Sequence, residues 1–195
     1  MTTLTHHLLT EAYNNGWSNH RLLKACAQLS DDDFGAQRTS FFPSIKATLN
    51  HILTCDWFYL DALERDLRGN APHPDCYVFF NVDEPFATCA DLWREQAACD
   101  RRLIAYCTQL RALGDGAAGH VVTIARDGGP QRDTRQRLLA HLFQHQIHHR
   151  GQVHAMLAGT AVAPPQLDEF YCAGEADERA ADFAELGWTE ELVWR

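Results

Sequence analysis

Apolar residues recur at helical spacing through most of the chain. Between Leu4 and Leu29, the residues Leu8, Leu9, Ala12, Leu22, Leu23 and Cys26 predict a first long helix. Ser30 and the three aspartates after it supply turn and capping chemistry. A second helix is predicted from Ser44, as its N-cap, to about Arg68, where Gly69-Asn70-Ala71-Pro72 stops it. The proline-bearing stretch from 70 to 86 reads as a long crossover. A third helix runs from about Thr88 to Leu113, ahead of Gly114 and Gly116. Val121-Val122-Thr123-Ile124 then precedes Asp127-Gly128, which predicts a short β-hairpin. A fourth helix runs from about Thr134 to Leu157, with Gly159 closing it, and Pro164-Pro165 breaks the chain. The acidic stretch from Glu175 to Arg195 predicts one more short helix. Four long helices and one long crossover predict an all-α protein built as a four-helix bundle, an architecture whose core commonly hosts metal sites. No internal repeat or low-complexity segment interrupts this pattern.

Histidine changes the picture in the fourth helix. Four of the eleven histidines, His141, His145, His148 and His149, fall within nine residues. At about 100° per residue, Leu138, Leu139, Leu142, Val153, Met156 and Leu157 define an apolar arc. His145 and His149 lie inside it, His141 and His148 at its edge, and His154 outside. Residues four apart share a helix face, so His145 and His149 aim two imidazoles at one spot. Two imidazoles in a core stripe are costly without partners. They are either hydrogen-bonded core residues or ligands of a shared metal, since neutral imidazole is the commonest side-chain metal ligand.

A third ligand has to come from another helix. On the second helix the main apolar stripe is Leu49, Leu53, Leu60, Leu63 and Leu67, and His51 is not on it. His51 heads a second stripe with Ala47, Cys55, Phe58 and Ala62, whose small residues leave room for a cofactor. Periodicity leaves open which stripe faces the fourth helix. His20 and His120 sit in more polar surroundings.

Composition narrows the function classes. The 195 residues suit one domain with a sizeable core. A net charge of −9 argues against direct nucleic-acid binding, which needs clustered cations. No apolar run is long enough to span a bilayer, and the first residues lack the features of a signal peptide. The expectation is a cytoplasmic protein with no membrane partner. The seven cysteines are widely spaced, with no C-x-x-C pair. In a reducing compartment they read as small buried hydrophobes or surface thiols. Cys55 stands apart, one helical turn after His51.

Several of these elements together resemble the DinB/YfiT-like superfamily. They are Asn50-His51-Ile52-Leu53 with Trp57, and His145-x-x-x-His149-Arg150-Gly151-Gln152 on the last long helix. Tyr13-Asn14-x-x-Trp17-x-Asn19-x-x-Leu22-Leu23 is similar to that family's first helix, and Pro164-Pro165-x-Leu167-Asp168 follows the last one. The resemblance covers about residues 5 to 172. It makes residues 1–172 the bundle and 173–195 an acidic C-terminal extension packed on the same domain.

The resemblance implies a three-histidine divalent metal site with His51, His145 and His149 as ligands, and so turns the Ala47/His51/Cys55 stripe inward. His148 matches no ligand position. Gly151 is expected to allow close helix packing, and Arg150 and Gln152 to hold hydrogen bonds around the site. Three imidazoles leave coordination positions open, as in catalytic zinc sites. Neutral imidazoles suit zinc, nickel, copper or iron and do not by themselves name the metal; zinc or nickel is expected first, with iron or manganese behind. The expected function is that of a divalent-metal-dependent enzyme on a small-molecule substrate, either a hydrolase or a transferase using a low-molecular-weight thiol. The alternative is a non-enzymatic, stress-inducible metal-binding protein. A homodimer packed through bundle helices is also implied.

Overall fold

A computed structural model describes residues 3–195. Four long helices form the bundle: α1 (Leu4–Cys26), α3 (Ile45–Leu67), α4 (Cys89–Leu113) and α5 (Arg135–Leu157). Each begins at a hydroxyl side chain that accepts a hydrogen bond from a backbone N–H in the first turn. Thr3 caps His6, Ser44 caps Ala47, Thr88 caps Asp91 and Thr134 caps Arg137. A five-residue helix, α2 (Asp31–Gly35), starts at Ser30, so the aspartate run after it is its first turn. The crossover between α3 and α4 carries a 3₁₀ turn at Cys76–Phe80.

The hairpin pairs β1 (Val121–Ile124) with β2 (Gln131–Thr134), antiparallel, with Val121 opposite Thr134 and Ile124 opposite Gln131. Two isolated strands are marginal in water. Here Val122 and Ile124 are buried in the core, which anchors the hairpin. Thr134 both ends β2 and caps α5, so the hairpin fixes where the last long helix starts.

The interior has two apolar clusters. One contains Trp17, Leu53, Leu63, Tyr106 and Leu139. The other contains Leu22, Ile45, Ile52, Leu92 and Leu157. Between them, every long helix contributes buried polar side chains: Asn15 and Asn19 from α1, Asp56 from α3, Gln96 and Asp100 from α4, and Gln146 and Arg150 from α5. This polar layer is internally bonded. Arg150 Nη1 donates to Asn15 Oδ1 (2.6 Å), Asn19 Oδ1 (3.0 Å) and Gln146 Oε1 (3.0 Å). Asp100 Oδ1 accepts from Asn15, Asn19 and Gln96, and Asp56 Oδ2 accepts from Gln96 and Gln146.

The C-terminal segment corrects one expectation. It forms two helices, α6 (Ala176–Leu186) and α7 (Glu190–Trp194), in place of the single helix expected there. Gly187, at φ 72°, ends α6 in the left-handed region, and Thr189 caps α7 two residues later. The segment packs against α1. Asp182 accepts from Trp17 Nε1 (3.2 Å) and pairs with Arg21, and Trp188 meets the Tyr13 ring edge-on at 5.0 Å. Arg179 is buried, bonded to both carboxylate oxygens of Glu190 and to the carbonyls of Glu169 and Cys172. Six of the seven cysteines are buried, Cys172 is exposed, and all are free thiols. Among the described residues, no helix is long and apolar enough to cross a membrane.

Candidate metal centre

His51 projects from α3, and His145 and His149 from α5, into one group. Each offers a ring nitrogen, and the three nitrogens lie within 4.8 Å of one another. His51 Nε2 and His145 Nε2 are 3.1 Å apart. The ring centroids are separated by 5.0 Å for His51–His145, 4.8 Å for His51–His149 and 4.4 Å for His145–His149. Two nitrogens bound at about 2.1 Å to a tetrahedral ion lie about 3.4 Å apart, so the closest pair is near that spacing.

The electrostatics suit cation binding. Burial pulls His51 down to about 4, and the nearby His149 adds to this. Burial and the neighbouring imidazoles pull His145 down to about 3. Burial lowers His149 as well, opposed by its bond to Gln152. All three rings are therefore neutral at physiological pH, with lone pairs available. The His149 Nδ1–H donates to Gln152 Oε1 at 2.9 Å. That bond selects the tautomer and leaves Nε2 as the free acceptor, as outer partners do for metal-binding histidines. The Gln152 amide in turn donates to His148 Nε2 at 3.0 Å. The donor set thus fits a divalent ion such as zinc, and no fourth His, Cys, Asp or Glu joins the group among the described residues.

Phe42, from the loop before α3, covers the group. Its ring lies 4.3 Å from that of His51 and 5.5 Å from that of His149. Beside it opens a cavity of about 380 Å³ whose walls include Phe42, Ala47, His51, Phe80 and Val82. Asp83 and Glu84 line the same cavity, and Glu84 is paired with Lys46 at 2.8 Å. Cys55 Sγ lies 3.6 Å from His51 Nε2. Burial, with the Asp56 charge behind it, pushes this thiol up to about 12, so it stays protonated.

Both α3 stripes are buried: Leu49, Leu53, Leu60 and Leu63 on one, Ala47, Cys55, Phe58 and Ala62 on the other. Periodicity alone is ambiguous here because α3 packs against α4 and α5 at once. The other histidines lie elsewhere. His141 is exposed with its ring 5.1 Å from Tyr59, and His154 Nε2 meets the Pro165 carbonyl at 3.0 Å. His120 pairs with Asp66 at 3.2 Å. His20 joins Asp182 and Glu185 in a second group, but Arg21 pairs with Asp182 and Lys24 with Glu185, so both carboxylates there already have a cation.

Two expectations need correcting. Gly151 faces solvent, and a Cβ added to it would meet nothing within 4 Å, so close helix packing does not require it. Arg150 points away from the histidines and holds the buried polar layer together. Phe42 gives no signal in the sequence, because it lies in a loop outside any periodic pattern.

A helical bundle with a three-histidine group between two of its helices defines a class of metal-binding-competent bundles. Within that class the affiliation is direct. The sequence model of the DinB family matches residues 1–180, and the chain belongs to that family. The match continues into α6. A comparison with curated proteins returns no match.

Proposed function

We propose that this protein is a divalent-metal-dependent enzyme acting on a small molecule, with His51, His145 and His149 as the metal ligands. The observation that carries this reading is three neutral imidazoles converging beside a cavity of about 380 Å³. A structural site would close its coordination with a fourth protein ligand, whereas a catalytic site keeps a position open. Zinc or nickel is the ion proposed, with iron or manganese next. When bound, the ion supplies Lewis acidity and lowers the pKa of a thiol or water coordinated to it.

The chain's own residues do the rest. Gln152 holds the His149 ring with Nε2 facing inward. Phe42 shields the imidazoles from bulk water, which strengthens electrostatic effects behind it. Phe80, Val82 and Ala47 receive the apolar part of a substrate. The reaction proposed is transfer to a low-molecular-weight thiol or hydrolysis. The free thiols suit a reducing compartment such as the cytoplasm.

The test is a panel of thiols and electrophiles assayed with metal-loaded and chelated protein. Turnover confined to the metal-loaded form is expected. Equal rates in both forms, or no turnover with stoichiometric metal bound, would favour a non-enzymatic metal-binding protein.

A further inference from the structure

A second cavity lies on the far side of the polar layer, between α1, α4 and the segment carrying α6. Its volume is about 190 Å³. That is below the ~300–1,000 Å³ of drug-sized sites, so its occupant is small. Trp93, Trp188, Leu23 and Ile104 wall it, and the carboxyl of Asp100 lines it. Asp100 is only 7% exposed. Its Oδ1 accepts hydrogen bonds from Asn15 (3.2 Å), Asn19 (3.0 Å) and Gln96 (3.2 Å). Its Oδ2 accepts none from the described residues, which leaves that oxygen to meet whatever enters the cavity. Arg101 also lines the cavity but is exposed and forms no ion pair with Asp100 among the described residues.

Burial disfavours the ionised form of Asp100, and a cation beside Oδ2 would restore it. The walls favour the same occupant, since indole faces attract organic cations. The other ligand groups in the lining are already engaged, since Glu185 at the rim is bonded to His20, which also lines the cavity, and to Lys24.

We propose that this cavity binds a small organic ammonium compound, its nitrogen on Asp100 Oδ2 and its apolar body between Trp93 and Trp188. The site is separate from the three-histidine group and does not depend on metal.

Benzylamine is the probe and benzyl alcohol its neutral counterpart of equal size. Binding is followed on the full chain by calorimetry and by tryptophan fluorescence, with metal content measured in parallel. Saturable binding of one benzylamine per chain is expected, with benzyl alcohol weaker by roughly tenfold or more. Asp100→Asn keeps an oxygen for the three amides and puts an amide nitrogen where Oδ2 was, so it should weaken benzylamine by roughly tenfold or more. Ala97→Leu, which fills the cavity without touching the polar layer, should abolish binding at unchanged metal content and carries the test should Asp100→Asn fail to fold. Absence of saturable benzylamine binding, equal affinity for the alcohol, or undiminished binding by Ala97→Leu would each overturn the proposal.

Discussion

Asp56→Asn tests the buried polar layer through the pH dependence of stability. Asp56 Oδ2 takes the amides of Gln96 and Gln146, while Oδ1 has no partner among the described residues. Burial pushes Asp56 up to about 8, and the Asp100 charge adds to this. Burial also pushes Asp100 up to about 7. An unfolded aspartate titrates near 3.9. The folded chain therefore keeps a proton that the unfolded chain releases, and stability falls as pH rises from about 4 to about 8. The lowered histidines act in the opposite sense, and an unfolded histidine is still partly charged up to about pH 7.5. Buried thiols contribute mainly near about pH 8.5. These groups and Asp100 titrate in both proteins, so the difference between the two slopes from about pH 6.5 to 7.5 belongs to Asp56. One retained proton is worth about 1.4 kcal/mol per pH unit, so the wild-type chain should lose about 1 kcal/mol more than Asp56→Asn across that interval, because the carboxamide has no proton to lose. Urea unfolding at the two pH values, in chelator so that metal binding does not contribute, measures both slopes. Equal slopes in the two proteins, or a variant that loses more stability than the wild type over the interval, would refute the reasoning.

Two further outcomes are expected. His149→Ala should lose stoichiometric metal while melting within about 1 kcal/mol of the chelated wild type, because the surrounding apolar clusters are untouched. His148→Ala should keep its metal, and the reverse result, read by elemental analysis, would show that the ligand set is wrong. The chain should sediment as a homodimer at micromolar concentration, consistent with exposed Leu4 and Ile147 beside one groove between α1 and α5. A monomer at that concentration would end this expectation.

Much of the bundle is legible in the sequence because its signals are local. Ser44, Thr88 and Thr134 cap helices where a hydroxyl precedes an apolar period, and Asp127-Gly128 marks the hairpin. The His145/His149 pair is legible for the same reason, since one helix turn brings the two rings together. His51 is ambiguous because a helix buried on two sides has two apolar stripes. The polar layer is not legible. Asn15, Asp56, Gln96 and Asp100 each look like ordinary solvent-facing residues until three helices bring them together. Phe42 and the break at Gly187 escape for a related reason, as both depend on where a loop returns.

The bond from Trp17 to Asp182 joins residues 165 positions apart. A chain made from its N-terminus exposes α1 long before α6 exists. Until then Trp17 and Arg21 lack the carboxylate that satisfies them, and the α1 surface that meets Trp188 and Phe183 stays wet. The C-terminal segment is thus the one that closes the first helix, which also carries the buried thiol Cys26. Assembly of this fold on the ribosome therefore waits for residues far down the chain from the helix that they complete.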